Sequence, residues 1–120
     1  MKEVTAIIRL NMFDKTKKDL KYQGFNALTY MKVKGRGKKE VDYEAGDKVE
    51  TEQSESAAEG HRLITKKMLV LIVADEDVDK VVETIMKTNH TGNSGDGKIF
   101  IRTIDDAARV RTGEEGTDAI

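Results

Sequence analysis

The chain has 120 residues, of which 38% are hydrophobic and 36% charged, and its net charge is −1. This length indicates one domain, 1–120, and the near-neutral charge argues against nucleic acid as a partner. Because the chain contains no cysteine, disulfide scaffolds, thiolate zinc sites and cysteine nucleophiles are excluded. The longest apolar run, 68–74, is far shorter than the roughly 20 residues that cross a bilayer, and the N-terminus lacks a signal peptide's apolar region. We therefore expect a cytoplasmic protein without membrane insertion.

The first 34 residues carry the pattern of a strand, a helix and a second strand. Residues 2–10 predict a strand with one mainly apolar face, because Val4, Ala6, Ile8 and Leu10 alternate with Thr5, Ile7 and Arg9. The helix is predicted over 15–23, capped by Asn11 or Asp14 and ended by Gly24, where a left-handed backbone is favoured. Alternation returns over 25–34, and the predicted second strand places these residues on one side: Phe25, Ala27, Thr29, Met31 and Val33.

The middle of the chain, about 36–64, shows neither a helical nor a strand period. Between residues 40 and 59 it carries eight acidic side chains against a single base, Lys48. A segment so poor in large apolar side chains cannot offset its own ordering entropy, so we expect a long mobile loop. Its flanks are basic, with these residues on the two sides: Lys34, Arg36, Lys38 and Lys39, then Arg62, Lys66 and Lys67.

The second half repeats the strand-helix-strand pattern. The continuous apolar run 68–74 predicts a central strand covered on both faces. A helix follows and ends near His90, with a predicted buried stripe of Val78, Val81, Val82, Ile85 and Met86. Residues 98–104 predict the last strand, 105–108 a single helical turn, and 109–120 a C-terminal tail.

The resulting order, βαββαβ, predicts an α+β, ferredoxin-like split βαβ fold. Its four-stranded antiparallel sheet would carry two helices on one face and a long loop between the two halves. Since two helices cover only one face, the apolar residues of the other face favour self-association.

The segment between the second helix and the last strand reads Thr-Gly-Asn-Ser-Gly-Asp-Gly-Lys-Ile-Phe over 91–100. Three glycines within six residues let backbone N–H groups approach an anion closely, and Lys98 adds a charge suited to phosphate. A plain glycine-rich turn explains the same residues equally well. The pattern is neither a Walker A motif nor a dinucleotide fingerprint, because the glycines precede a strand and not a helix.

Two further basic clusters favour an anionic ligand. On an extended segment Arg109 and Arg111 would point the same way and clamp one polyphosphate, although a solvated tail is the favoured alternative. The segment 35–39, Gly-Arg-Gly-Lys-Lys, is a glycine-spaced basic turn at the neck of the acidic loop, for which a hinge is the simpler explanation.

Enzymatic activity is not expected. No close pair of carboxylates lies in a predicted pocket and no serine lies beside a positioned base, so a nucleotide hydrolase on this scaffold lacks its general base. His61 and His90 are isolated, and without cysteine nearby no metal site is predicted.

The chain resembles the PII signal-transduction family nearly end to end. The similarity lies in the segment 91–100, in Arg109-Val-Arg-Thr-Gly-Glu-Glu, in the opening Met1-Lys-Glu-Val-Thr-Ala-Ile-Ile-Arg and in Val33-Lys-Gly-Arg-Gly-Lys. The resemblance implies a trimer that binds ATP or ADP in clefts between subunits and senses 2-oxoglutarate beside the nucleotide's Mg²⁺. The long acidic loop would be the family's T-loop, which docks on target proteins.

The resemblance also implies roles for particular positions. The nucleotide would be bound by Ile7, Thr29, Gly35, Gly37, Lys38, Ile72, Gly95, Asp96, Gly97, Lys98, Arg109 and Arg111. Lys66 and Lys39 would bind 2-oxoglutarate. Lys39 stands where a glutamine that contacts Mg²⁺ is usual in the family, so a cation there would repel the metal but attract the acid directly.

The loop and the two C-terminal motifs are most similar to the nitrogenase-associated (NifI-type) branch of the family. That branch implies either a homotrimer or a hetero-oligomer with a paralogous PII subunit. It also implies inhibition of dinitrogenase until 2-oxoglutarate rises. Regulation of an ammonium transporter or of glutamine synthetase is the alternative.

Overall fold

The computed structural model describes residues 1–38 and 63–120, which form four strands and two α-helices. Predictions that fall on 39–62, which include most of the acidic loop and Lys39, lie outside the described residues. The elements are β1 (Lys2–Arg9), α1 (Phe13–Tyr22), β2 (Thr29–Gly35), β3 (Ile64–Val73), α2 (Val78–Asn89) and β4 (Lys98–Thr103). This order confirms the predicted ferredoxin-like α+β fold.

The sheet has the strand order β2-β3-β1-β4, and all neighbouring strands are antiparallel. Each strand therefore begins or ends at one of two edges of the sheet. One edge collects the end of β1, the end of β2 and the beginnings of β3 and β4. The loops 35–38 and 90–97 leave or enter the sheet at this edge, which we call the loop edge.

Alternate residues of the central strands form the core with the helices. Val4, Ala6 and Ile8 of β1 are buried, as are Leu69 and Leu71 of β3. The helices cover them with these buried residues: Phe13, Thr16, Leu20, Val81 and Ile85. Because burying one aliphatic side chain contributes about 1.5–3 kcal/mol, this layer supplies most of the stabilisation available to so small a domain.

A buried polar contact holds the two helices in register. Asn89 of α2 donates from Nδ2 to the Thr16 hydroxyl of α1 at 2.9 Å, and the same nitrogen donates to the carbonyl of Ile85. The Thr16 hydroxyl donates in turn to the carbonyl of Met12 at 2.7 Å. Buried polar groups are costly unless they are paired, so this link favours one arrangement of the helices.

Several predicted boundaries in the first half are wrong. The first helix begins at Phe13 after a 3₁₀ turn over Leu10–Met12, so its N-cap residue is Met12, whose side chain makes no capping hydrogen bond, and not Asn11 or Asp14. Phe13 starts the helix early because its ring packs into the core. The second strand begins at Thr29 and not at Phe25, because Phe25 turns into the core from the connection.

The second half also departs from prediction. Strand β3 begins at Ile64, four residues before the apolar run, since 64–67 pair with β2. Met86 is 57% exposed, so it does not belong to the buried stripe of α2. Residues 105–108 form no helical turn, because Ala108 pairs with Glu115 across a short bridge.

The side chains on the other side of the sheet, which we call the open face, include many apolar groups. Those of β3 alternate with its buried residues, so this strand is not covered on both faces as predicted. Met31 and Phe100 on this face are 52% and 54% exposed. No helix within residues 1–38 and 63–120 is long and apolar enough to cross a membrane.

Candidate functional site

The glycine-rich segment 91–97 forms a loop that is fastened to the loop edge of the sheet by two cationic side chains. Arg9, the last residue of β1, lies opposite Lys66 of β3 in the strand register. The Arg9 guanidinium donates to Asp96 Oδ1 at 2.7 Å and to the carbonyl of Ser94 at 2.9 Å. The Lys66 ammonium donates to the carbonyl of Gly95 at 2.9 Å. Two neighbouring strands therefore hold three consecutive residues of this loop.

The carboxylate of Asp96 closes the loop on itself. Its oxygens accept hydrogen bonds from the backbone N–H groups of Thr91 (2.8 Å) and Gly92 (2.9 Å), and from the Thr91 hydroxyl. Burial by itself would raise the pKa of Asp96. The hydrogen bonds from Thr91, Arg9 and Gly92 outweigh it and hold this pKa well below its usual range. Asp96 is therefore ionised at neutral pH and serves as a fixed anion within the loop.

Gly97 joins the loop to β4 at a point of very close backbone approach. Its φ is +112°, and a Cβ atom built there would overlap the carbonyl oxygen of Ile7. Lys98, the next residue, pairs with Ile7 in the register of β1 and β4. Only glycine satisfies both the backbone angle and the close approach, so the glycine at this position has a structural cause that the motif alone did not reveal.

The structure brings most of the residues predicted to bind the two ligands together at the loop edge. Gly95, Asp96, Gly97 and Lys98 lie there beside Lys66. Gly35 ends β2 at the same edge, opposite Ile64, and is followed by Gly37 and the exposed Lys38. Ile7 belongs to the open face at this edge, as its pairing with Lys98 shows. Basic side chains and glycine backbone from three segments of the chain thus lie at one edge of the sheet.

The remaining predicted residues lie elsewhere in the same chain. Thr29 and Ile72 belong to the open face toward the opposite edge, where Thr29 pairs with Val70 and Ile72 with Glu3. The C-terminal tail also starts at that opposite edge, where the backbone N–H of Ile104 donates to the carbonyl of Met1 at 3.1 Å.

Arg109 and Arg111 do not lie on the extended segment that a clamp of the two side chains requires. Residues 110–112 form a turn and not an extended segment, and the N–H of Gly113 donates to the carbonyl of Arg109 at 2.7 Å. Gly113 allows this turn because its φ is +74°. The Arg109 guanidinium forms an ion pair with Glu114 at 2.9 Å, whereas Arg111 is exposed.

Two residues that position the loop were missed from the sequence. The alternation over 2–10 places Arg9 opposite the apolar face of the first strand, and Thr91 belongs to the glycine-rich motif, but neither pattern predicts a contact between strand and loop. Arg9 ends a strand in which the polar side faces away from the helices, and Asp96 follows a glycine. These are the signals from which a contact between a strand end and a loop could have been suspected.

Comparison with known proteins agrees with this geometry. The family model described as Nitrogen regulatory protein P-II matches residues 1–114. The chain belongs to the PII family. Proteins of this family are regulatory signal-transduction proteins and not enzymes, and they are generally trimeric. The family predicted from the sequence is thereby confirmed.

Relatives of similar length carry names that refer to nitrogen fixation. The chain is 46% identical to the nitrogen fixation nifHD region GlnB-like protein 2 of Methanobacterium ivanovii over 121 residues, covering 100% of this chain and 99% of the relative. It is 47% identical to the protein of the same description from Methanococcus maripaludis over 121 residues, covering 100% of both. Methanothermobacter thermautotrophicus has a nitrogen regulatory protein P-II 2, 41% identical over 120 residues, covering 100% of this PII chain and 97% of the relative. The first two names support the nitrogenase-associated branch.

Proposed function

We propose that this PII protein binds ATP or ADP together with 2-oxoglutarate and thereby controls nitrogenase through its T-loop. The observation that carries the proposal is the glycine-rich loop 91–97, which we call the phosphate loop. Arg9, Lys66 and Asp96 hold it in one arrangement at the loop edge. A preorganised loop loses little conformational entropy when an anion binds, which favours tight binding.

The phosphates of the nucleotide fit the loop edge on chemical grounds. Lys98 begins β4 directly after the loop, and Lys38 follows β2 at the same edge. Both are exposed ammonium groups, and such groups bind phosphate as point charges. Mg²⁺ would arrive with the phosphates, since it is usually held by one or two carboxylates and substrate oxygens. Residues 1–38 and 63–120 contain no cluster of three or more histidine, aspartate or glutamate side chains that could hold a metal ion.

The second ligand, 2-oxoglutarate, would bind at Lys66. This side chain is only 9% exposed and already contacts the loop through the carbonyl of Gly95. A buried ammonium group interacts strongly with a carboxylate because the local dielectric is low. Binding there would therefore also change the contact between Lys66 and the phosphate loop. Lys39, the other residue predicted for this ligand, lies outside the described residues.

Assembly into a trimer would complete the nucleotide site. The tail with Arg109 and Arg111 starts at the edge opposite the loop in its own chain, so these arginines would reach the phosphates of a neighbouring subunit. Thr29 and Ile72, also remote from the loop in their own chain, would line the same cleft. The apolar open face would be buried between subunits in the cytoplasm, either in a homotrimer or with a paralogous PII subunit. A paralogue is supported by Methanothermobacter thermautotrophicus, which has both a P-II 1 and a P-II 2 relative.

The names of the relatives favour nitrogenase as the target over an ammonium transporter or glutamine synthetase. The acidic T-loop would dock on a basic patch of dinitrogenase, and 2-oxoglutarate would release it. The test is acetylene reduction by purified nitrogenase with this protein and its paralogue added. Inhibition is expected with ATP present, and 2-oxoglutarate should restore the activity.

Matched variants separate ligand control from nonspecific effects. Lys98→Gln removes a phosphate-binding charge and should alter the inhibition, whereas Lys17→Gln removes an exposed charge on α1 and should leave it unchanged. Unaltered nitrogenase activity at all ratios would refute the target. Binding to an ammonium transporter in membrane vesicles, or to glutamine synthetase, would then support the alternative.

A further inference from the structure

We propose that Arg9 is a positioning residue for the phosphate loop, which it holds in its binding arrangement through Asp96 and the carbonyl of Ser94. The inference rests on the proposed function, because it assigns a part in nucleotide binding to a residue outside the predicted site. Arg9 lies 87 residues from Asp96 in the sequence and 85 from Ser94.

The geometry of the contact requires a guanidinium group. Arg9 uses NH1 for the Asp96 carboxylate at 2.7 Å and NH2 for the carbonyl of Ser94 at 2.9 Å. The planar group therefore holds a side chain and a backbone oxygen two residues apart at the same time. A lysine ammonium is a flexible point charge and lacks the rigid fork that spans two such acceptors.

Partial burial of this ion pair makes the loss of one partner costly. The side chain of Arg9 is 12% exposed and that of Asp96 is 23% exposed. The pair is therefore poorly screened by solvent, and the loss of one partner would leave the other charge partly buried without compensation.

Asp96 transmits the position of Arg9 to the start of the loop. The carboxylate that accepts from Arg9 also accepts from the N–H groups of Thr91 and Gly92. Since Asp96 and Lys98 are separated only by Gly97, a shift of the carboxylate moves both the loop and the following phosphate-binding charge. Arg9 thus acts on the ligand through other residues and need not touch it.

The test compares Arg9→Gln and Arg9→Lys with Arg102→Gln as a matched control. Arg102 also belongs to the open face and forms an ion pair, with Glu3 at 3.1 Å, but it lies away from the loop. Each full-length variant is examined by thermal unfolding and light scattering for fold and assembly. ATP affinity is then measured by calorimetry, and exchange of the Thr91 and Gly92 amides by NMR without nucleotide.

Arg9→Gln should bind ATP about tenfold more weakly, as expected if its loop holds the binding arrangement about a tenth of the time. The Thr91 and Gly92 amides should exchange faster in the same variant. Arg9→Lys should lie between it and the wild type, and Arg102→Gln should match the wild type. If Arg9→Gln does not fold, Arg9→Lys carries the comparison.

Two results would overturn the inference: wild-type ATP affinity in both Arg9 variants, or equal losses in Arg9→Gln and Arg102→Gln. Failure of the proposed function looks different. In that case the wild type itself would not bind ATP, while Arg9→Gln would still speed the exchange of the two amides.

Discussion

Replacement of Gly97 by alanine tests the close backbone approach that joins the phosphate loop to the sheet. An alanine at a φ of +112° is strained by about 1–3 kcal/mol. Its Cβ atom would also overlap the carbonyl oxygen of Ile7, so the start of β4 must move away from β1. If that movement breaks one backbone hydrogen bond, the further cost is about 0.5–1.5 kcal/mol. The free energy of unfolding should therefore fall by about 1.5–4.5 kcal/mol in total.

Gly24→Ala is the matched control. Gly24 has a similar φ of +97°, but a Cβ atom there meets nothing within 4 Å, so this variant bears the backbone strain alone. Gly→Ala also lowers the entropy of the unfolded chain, an effect that is the same in both variants and cancels in the comparison. Guanidinium denaturation followed by circular dichroism, at one protein concentration, measures the free energy of unfolding of Gly97→Ala and of Gly24→Ala. The reasoning is refuted if Gly97→Ala is no less stable than Gly24→Ala, or if it binds ATP like the wild type.

Thr16→Val removes the hydroxyl that accepts from Asn89 and donates to Met12, so the free energy of unfolding measured by denaturation should fall by about 1–3 kcal/mol. Thr84→Val is the control, because it removes a more exposed hydroxyl that bonds only within α2, and it should change the free energy of unfolding by less than about 0.5 kcal/mol. Equal losses of stability in the two variants would contradict the role of the buried contact between Thr16 and Asn89. Folding lowers the pKa of Asp96 from its ordinary value of 3.8. The stabilisation that this carboxylate contributes to the folded state is therefore present above pH 3.8 and is lost as the pH falls through the pKa of the folded state. The side-chain carboxyl ¹³C chemical shift of Asp96 should therefore stay at its ionised value from pH 7 to pH 4, whereas Asp96→Asn should displace the amide shifts of Thr91 and Gly92 at pH 7. A titration of the Asp96 carboxyl shift between pH 7 and pH 5 would contradict the assignment.

The local patterns of the sequence predicted the core well, because strand and helix periods are properties of the backbone. The alternation of Val4, Ala6 and Ile8 predicted which side of β1 faces the helices, and Gly24 was correctly placed at the helix end. Periodicity failed where apolar side chains serve the core from irregular backbone, as Phe25 does. It also failed at Met86, since the amphipathic stripe of α2 is wider than the surface that the sheet covers.

The candidate site was predicted less completely, because it is built from contacts between distant parts of the chain. The glycine-rich motif pointed to the loop 91–97, but no local pattern shows that Arg9 and Lys66 would meet it. Those contacts depend on the register of β1 against β3, which only the folded sheet defines. The turn at 110–112 was not predicted, because neither a solvated tail nor an extended segment around Arg109 and Arg111 implies it, although Gly113 follows closely.

Calorimetric titration of the protein with ATP, in the absence and the presence of saturating 2-oxoglutarate, tests the central claim most directly. The account predicts that ATP binds and that 2-oxoglutarate increases its affinity about 5- to 150-fold, the range of coupling typical between linked sites. Lys66→Met should abolish this increase while the protein still binds ATP. No binding of ATP, or the same affinity with and without 2-oxoglutarate, would contradict the account.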